Sequence, residues 1–362
     1  MPRNGLCGKG ASRGSLMRFF GGHSVPRSII PEGNEGSGII MPLAERAKAA
    51  KGLTICRNVR ADDLSLAPDG SVMGVMASNV LTGETYDISC KAVVMAAGGF
   101  GSNVEMRVKY NPEMDESILS TDSVGATGDC HIMAEKAGAE LVDMQYIQTY
   151  PTCDTQSGAL LYVGNMRLEN RAICVNKEGK RFVEEMQRRD VISNAVKEQT
   201  DGVGYMVFNQ EGADATDVLQ VNAAEYDGLV ARNQLVKADT LEEACEPFGI
   251  DAAALSSTLD AWNGYCSEGK DPDFNYRAPM NPIEGGPYYV LAFKPSVHYT
   301  IGGVRIDPEA HVLDAQGNPL PGLFAAGETA GHKMGTNRLG SCSITDVFVF
   351  GRIAGANAAA FA

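Results

Sequence analysis

The hydrophobic pattern changes character several times along the chain, and each change predicts a different element. Leu43 to Ala50 is helical by composition, and the β-branched stretch Leu53 to Val59 then reads as a strand. Ser71 to Ser78 and Thr85 to Ser89 read as strands of a meander, with turns at Asp69-Gly70 and Thr82-Gly83. Ala92-Val-Val-Met-Ala-Ala-Gly98-Gly99 is continuously apolar and ends in a double glycine, as in a buried parallel strand whose carboxyl end meets a ligand. Ile132 to Ala137 predicts a short helix, and Leu141 to Thr152 an extended run in which Pro151 makes a natural boundary.

From residue 154 to 292 the pattern becomes one of mixed helices and loops, with helical spacing at Arg189 to Lys197, Leu241 to Cys245 and Leu255 to Tyr265. This predicts an inserted domain over 154–292, flanked by a first segment, 1–153, and a second, 293–362. The second segment is β-rich and ends in an apolar helix, Ile344 to Ala359. Residues 1 to 38 are rich in Gly, Arg and Ser, show little periodicity and read as loop.

Composition narrows the class. A 362-residue chain with 44% hydrophobic and 21% charged residues is ordinary for a globular enzyme with a sizeable core. Its net charge of -14 argues against nucleic acid or an anionic membrane surface as partner, so any anion has to be drawn in by a local cluster. The nine cysteines form no C-x-x-C pair, which signals neither zinc nor a disulfide framework and fits a reducing or anaerobic setting. No apolar run reads as a transmembrane helix and the first residues lack an apolar signal core, although export of a longer parent stays open, as does the compartment.

The chemistry concentrates near the carboxyl end, in His298-Tyr-Thr-Ile-Gly-Gly-Val, Pro321-Gly-Leu-Phe-Ala-Ala-Gly-Glu328 and Gly335-Thr-Asn-Arg338-Leu-Gly-Ser-Cys-Ser-Ile344. Small residues let a flat cofactor approach the backbone, and a helix beginning after Ser343 offers an N-terminus for partial negative charge, with Arg338 just before it. Together with Ala96-Ala-Gly-Gly-Phe100, Gly128-Asp129, Asp143-Met-Gln-Tyr-Ile-Gln148, Cys174-Val-Asn-Lys-Glu-Gly-Lys-Arg-Phe-Val-Glu-Glu185 and Arg189-Asp190, these blocks resemble the fumarate reductase flavoprotein family, in the family's order across nearly the whole chain. The closest likeness is to soluble flavin-dependent reductases of conjugated carboxylates, including fumarate and urocanate reductases.

The resemblance implies an α/β fold: an FAD-binding, Rossmann-like domain interrupted by an α+β capping (clamp) domain. It also implies an N-terminal strand, G-x-G-x-x-G turn and helix for the pyrophosphate. None is legible here; Gly8-Lys9-Gly10 has no preceding strand and no third glycine at the required spacing, so the chain resembles a member that begins inside its flavin domain.

Carried over residue by residue, Arg189 matches the arginine that protonates the alkene, and His298 and Arg338 match residues that grip the substrate carboxylate. Without the surrounding blocks, Arg189 reads as a structural arginine paired to Asp190, Glu184 or Glu185, His298 as a satisfied core histidine, and Arg338 as a phosphate-holding residue. Tyr150 departs from fumarate reductases, which place His before this Pro-Thr. A phenol suits a flat or apolar tail better than a second carboxylate, unless Tyr150 only packs between domains. The family's proton-relay acid and arginine have no clear counterpart, with Arg167, Glu169 and Arg171 as stand-ins.

For FAD, the resemblance assigns Glu328 to the ribityl chain, Ser343 and Ile344 to the pyrimidine edge, Val59 and Gly98 to the adenosine side, and Gly21, Gly22 and Val25 to the loop under the ring. Gly128 and Asp129 are further matches. No metal ligand set is assigned, although the Thr300 and Glu328 region could hold a structural cation through backbone carbonyls. The function implied is an FAD-dependent ene-reductase of an α,β-unsaturated carboxylate such as urocanate, an aryl acrylate or fumarate. Electrons would come from an external donor protein or a reduced flavin carrier, because no haem, iron-sulfur or nicotinamide motif is evident. The alternatives are a ketosteroid dehydrogenase-like flavoenzyme and a non-catalytic fragment that pairs with a separate FAD-binding piece.

Overall fold

The computed structural model describes residues 15–18, 22–25, 27–31 and 36–362. The chain divides into two compact units, the first comprising Met1–Glu113, Val124–Ile147 and Tyr299–Ala362, the second Met114–Ser123 and Gln148–His298.

In the first unit, an antiparallel sheet joins Val59–Leu66, Val72–Asn79 and Thr85–Ser89. The meander appears where the sequence placed it, but the strand expected over Leu53 to Val59 does not. Residues 53 to 58 are exposed and join no ladder among the described residues, whereas the more polar Val59–Leu66 gains a partner, from Val59 opposite Asn79 to Leu66 opposite Val72. Hydrogen-bond pairing outweighs β-propensity here. Ser15–Arg18 and Ser28–Pro31 also pair antiparallel, in a region whose composition read as loop.

The apolar strand Val93–Met95 runs parallel to Pro319–Ala325 in a three-stranded sheet with His311–Leu313. Among the described residues it pairs on one side, and Val94 is 38% exposed. Met95, Leu323 and Ala325 pack against Cys130, Met133 and Ala134 of the helix Asp129–Lys136. The helix Ser37–Ala49 starts earlier than composition suggested and accommodates Pro42. The helix Cys342–Phe361 is long and apolar enough to cross a membrane by length and composition, which qualifies the expectation that none would be. It is nevertheless attached to the sheet, with Ala354 packed among Phe324 and Ala326.

The second unit contains a five-stranded sheet that the sequence did not disclose, formed by Ile147–Cys153, Ile173–Val175, Gly204–Asn209, Leu235–Ala238 and Tyr288–Thr300. Pro151 lies inside the first of these strands. The two-residue period is plain once both faces are considered: Met206, Phe208, Tyr289 and Leu291 enter one cluster with Ile192, Val196 and Leu229, while Tyr205, Val207 and Val290 enter another with Leu255, Leu259 and Trp262. Helices cover both faces, so these strands read as apolar runs rather than alternations. The helix Ala252–Glu268 begins before Leu255 because the Asp251 carboxylate accepts from the Ala254 amide (2.9 Å), and it ends at Gly269 in the left-handed region.

Arg181 is held inside this unit by Glu185 (2.8 Å) and Asp271 (3.1 Å), with its guanidinium over the rings of Trp262 (4.6 Å) and Phe274 (5.1 Å). All three charged side chains are nearly or fully buried, and breaking such a group by removing one partner leaves an uncompensated charge.

In the first unit, His131 is fully buried on the helix Asp129–Lys136, edge-on to Phe100 (5.4 Å). Burial disfavours the imidazolium and pulls the pKa down to about 4 from 6.5. The unfolded chain therefore takes up a proton before the folded one. This contribution to stability is complete above pH 6.5 and declines as pH falls towards 4, by up to about 3 kcal/mol. Urea unfolding on either side of that window should show this loss, and His131→Leu should flatten it.

Candidate active site

Three of the sequence-nominated substrate residues meet within the second unit. The strand Ile147–Cys153 is buried throughout, and its two-residue period sets Gln148 and Tyr150 on the same side. The Gln148 side-chain oxygen accepts from Arg189 Nη1 (3.2 Å), and the Arg189 guanidinium lies 4.7 Å from the centre of the Tyr150 ring. Tyr150 in turn packs against the His298 ring at 5.1 Å, and His298 Nδ1 is hydrogen-bonded to Thr121 Oγ1 at 2.8 Å. Arg189 opens the helix Arg189–Lys197. Of the acidic residues near it in sequence, Glu184 is paired with Arg277 (2.8 Å), Glu185 with Arg181 and Asp190 with Arg188 (2.7 Å).

Arg338 belongs to the first unit. It is 4% exposed and its guanidinium lies 4.5 Å from the centre of the Tyr299 ring. Burial, followed by the nearby Glu328 and Asp346, pushes the Tyr299 phenol well up, so it stays neutral under the cation. Such a face contributes about 0.5–2 kcal/mol, more as water is excluded.

The nominated flavin residues cluster in the same unit. Gly98 and Gly99 follow the strand Val93–Met95. Glu328 Oε1 accepts from the Thr300 amide (2.8 Å) and hydroxyl (2.9 Å), while Thr329 donates to the Gly98 carbonyl (2.9 Å). A Cβ at Gly99 would fall 2.0 Å from Thr300 Oγ1 and 2.3 Å from Glu328 Oε1. Ser341 sits at φ 68° ahead of the helix Cys342–Phe361 without a side-chain cap of its own, and the Ile344 amide donates to the Ser341 carbonyl (3.2 Å), so Ser343 and Ile344 lie in the helix's first turn. Lys333 braces the helix by donating to both Asp346 oxygens (2.7 and 2.6 Å) and to the Gly327 carbonyl (2.8 Å). Burial lowers the Lys333 pKa despite the facing Asp346.

Gly22 has a positive φ of 83°, and the neighbouring His23 Nε2 is bonded to the Gly340 carbonyl (3.1 Å), while Val25 is exposed. Gly21 lies outside the described residues. Val59 begins its strand, and Asp129 begins a helix with one oxygen bonded to Thr127 (2.9 Å) and the other to Arg60 (3.0 Å). Of the relay stand-ins, Arg167 is buried and donates to the Glu185 carbonyl, four residues before Arg189. Thr121, Tyr299, Lys333 and His23 were not singled out from sequence. Tyr299 lies within a recognised block, whereas Thr121 carries no motif that could have revealed it.

These features fit a flavin. Gly99, just past a parallel strand, is pressed against a fixed carboxylate, and a helix N-terminus follows a buried arginine. The model of the FAD binding domain family matches residues 3–344. The chain belongs to that family. FAD is its cofactor, and the resemblance to fumarate reductase flavoproteins holds as membership. This flavoprotein is similar to the urocanate reductase of Eggerthella lenta, with 74% identity over 345 residues, covering 95% of this chain and 57% of that protein. It is also similar to the fumarate reductase (cytochrome) of Shewanella frigidimarina, with 36% identity over 345 residues, covering 95% and 56%. The solved open conformation of a flavocytochrome c3 fumarate reductase matches with a TM-score of 0.78 and 37% identity, over 95% of this chain and 59% of that one. The α/β fold class with a capping domain follows from this likeness. The chain spans under three fifths of the length of these relatives.

Two outcomes follow from this geometry. Gly99→Ala should lower both flavin retention, read as loss of yellow absorbance, and the unfolding midpoint, because the added Cβ meets Thr300 Oγ1 and Glu328 Oε1. Asp346→Asn should destabilise the flavoprotein by about 3 kcal/mol in denaturant titrations, because it leaves the Lys333 ammonium buried opposite a neutral group.

Proposed function

We propose that this flavoprotein is an ene-reductase of an α,β-unsaturated monocarboxylate, with urocanate as its substrate in preference to fumarate. The observation that carries this is the group Arg189, Tyr150 and His298, in which an aromatic residue rather than a second cation lies against the arginine. The 74% identity to a urocanate reductase supports the same choice, and the acrylate oxidoreductase of Vibrio harveyi, 37% identical, supports the broader substrate class. The proposed organisation assigns 154–292 to the capping domain and 1–153 with 293–362 to the flavin domain.

Bound FAD, once reduced, supplies the hydride for one alkene carbon. Arg189 holds a proton at its guanidinium and delivers it to the neighbouring carbon. An arginine rarely gives up a proton, so the contribution is one of position, set by Gln148 and the Tyr150 face. His298 and Arg338 bind the carboxylate and stabilise the charge that develops on it. Tyr150 contacts the imidazole tail. Glu328, Ser343 and Ile344, with Gly98, Gly22, Val59 and Asp129, hold the cofactor. The electron donor is external, a protein or a reduced flavin carrier.

The test uses the FAD-loaded chain with a chemically reduced dye as donor and follows loss of substrate. Urocanate should be reduced faster than fumarate, and steroid enones not at all; turnover of steroid enones without any of acrylates would overturn the proposal. Arg189→Gln should lower turnover by about 10² to 10⁴-fold while flavin content is retained.

A further inference from the structure

The segment Met114–Ser123 lies between two stretches of the first unit in sequence but belongs to the second. Its attachment there is specific. The Val297 amide donates to the Leu119 carbonyl (2.8 Å) and the Thr121 amide to the Val297 carbonyl (2.8 Å), making a short parallel bridge between Ser120 and Val297. Gly158 closes over the same segment: a Cβ there would fall 2.5 Å from Leu119 Cβ and 3.1 Å from the Ser120 amide, on a backbone at φ 76°. This bridge places Thr121 beside His298, and its hydroxyl meets Nδ1 at 2.8 Å.

We infer that Thr121 is a positioning residue for His298. By engaging Nδ1 it fixes the imidazole against Tyr150 and commits Nε2 to the substrate carboxylate. The inference rests on the carboxylate-binding role proposed for His298. A hydroxyl suits this task because it can donate to Nδ1 or accept from it, so it holds the ring in one orientation without imposing a charge, as a carboxylate partner would. The tilted Tyr150 face restricts the ring's position but does not select a nitrogen. Loss of the hydroxyl removes this hydrogen bond while leaving the Tyr150 packing in place.

The experiment compares Thr121→Val, which keeps shape and removes the hydroxyl, with Thr121→Ser, which restores it; Thr121→Ala replaces the valine variant if that does not fold. Two measurements are made on each FAD-loaded protein: kcat/KM for urocanate, and long-range ¹H–¹⁵N spectra of the imidazole, assigned by the signals lost in His298→Gln. Thr121→Val should lower kcat/KM by about tenfold and shift the His298 Nδ1 resonance, with flavin content unchanged, and Thr121→Ser should recover both. An unshifted Nδ1 resonance in Thr121→Val, or undiminished turnover despite a shifted one, overturns the inference. If the parent reduces neither urocanate nor acrylate, the proposed function fails, and the spectra alone decide whether Thr121 sets the state of His298.

Discussion

A charge removed from water has to be met by an opposite charge, a hydrogen bond or a polarisable face, and the placement of buried cations organises both units of this flavoprotein. Arg181 is answered by Glu185 and Asp271 and enclosed by Trp262 and Phe274, which ties the helix Ala252–Glu268 and the loop after it to the segment leading to Arg189. Lys333 is answered by Asp346, which ties a loop to the first turns of the helix Cys342–Phe361. Arg189 and Arg338 are both laid on tyrosine rings. A ring face steadies a guanidinium without adding an opposite charge.

The strand Tyr288–Thr300 distributes these constraints. Tyr289, Val290 and Leu291 alternate between the two cores of the second unit. Three consecutive residues at its end then serve three purposes: His298 contacts Tyr150 and Thr121, Tyr299 carries Arg338, and Thr300 donates twice to Glu328. A residue changed here would be felt in the substrate group or the cofactor group rather than in general packing.

Much of the site was legible in the sequence. Gly98-Gly99, Glu328, Arg338, His298 and Arg189 stand in blocks whose residue types are dictated by local chemistry, and the structure places them at a strand end, beside a fixed hydroxyl, on a ring or at the start of a helix. The sheet of the second unit was not legible, because strands buried on both faces, such as Gly204–Asn209, lose the alternation that marks a strand. The strand expected at Leu53 to Val59 failed for the converse reason: its side chains favour extension, but among the described residues no strand pairs with residues 53 to 58.

The amino-acid order alone therefore determined the cofactor class, the candidate site residues and the presence of several helices, among them Arg189–Lys197 and Leu241–Cys245, since these depend on residue chemistry and on spacings within a few turns of chain. Only the tertiary structure decided what holds those residues. Thr121 reaches His298 across 177 positions, Lys333 meets Asp346 within one unit, and Tyr150 lies under Arg189. Such pairings are set by strand register and core packing, which bring together residues whose relation leaves no trace in local sequence.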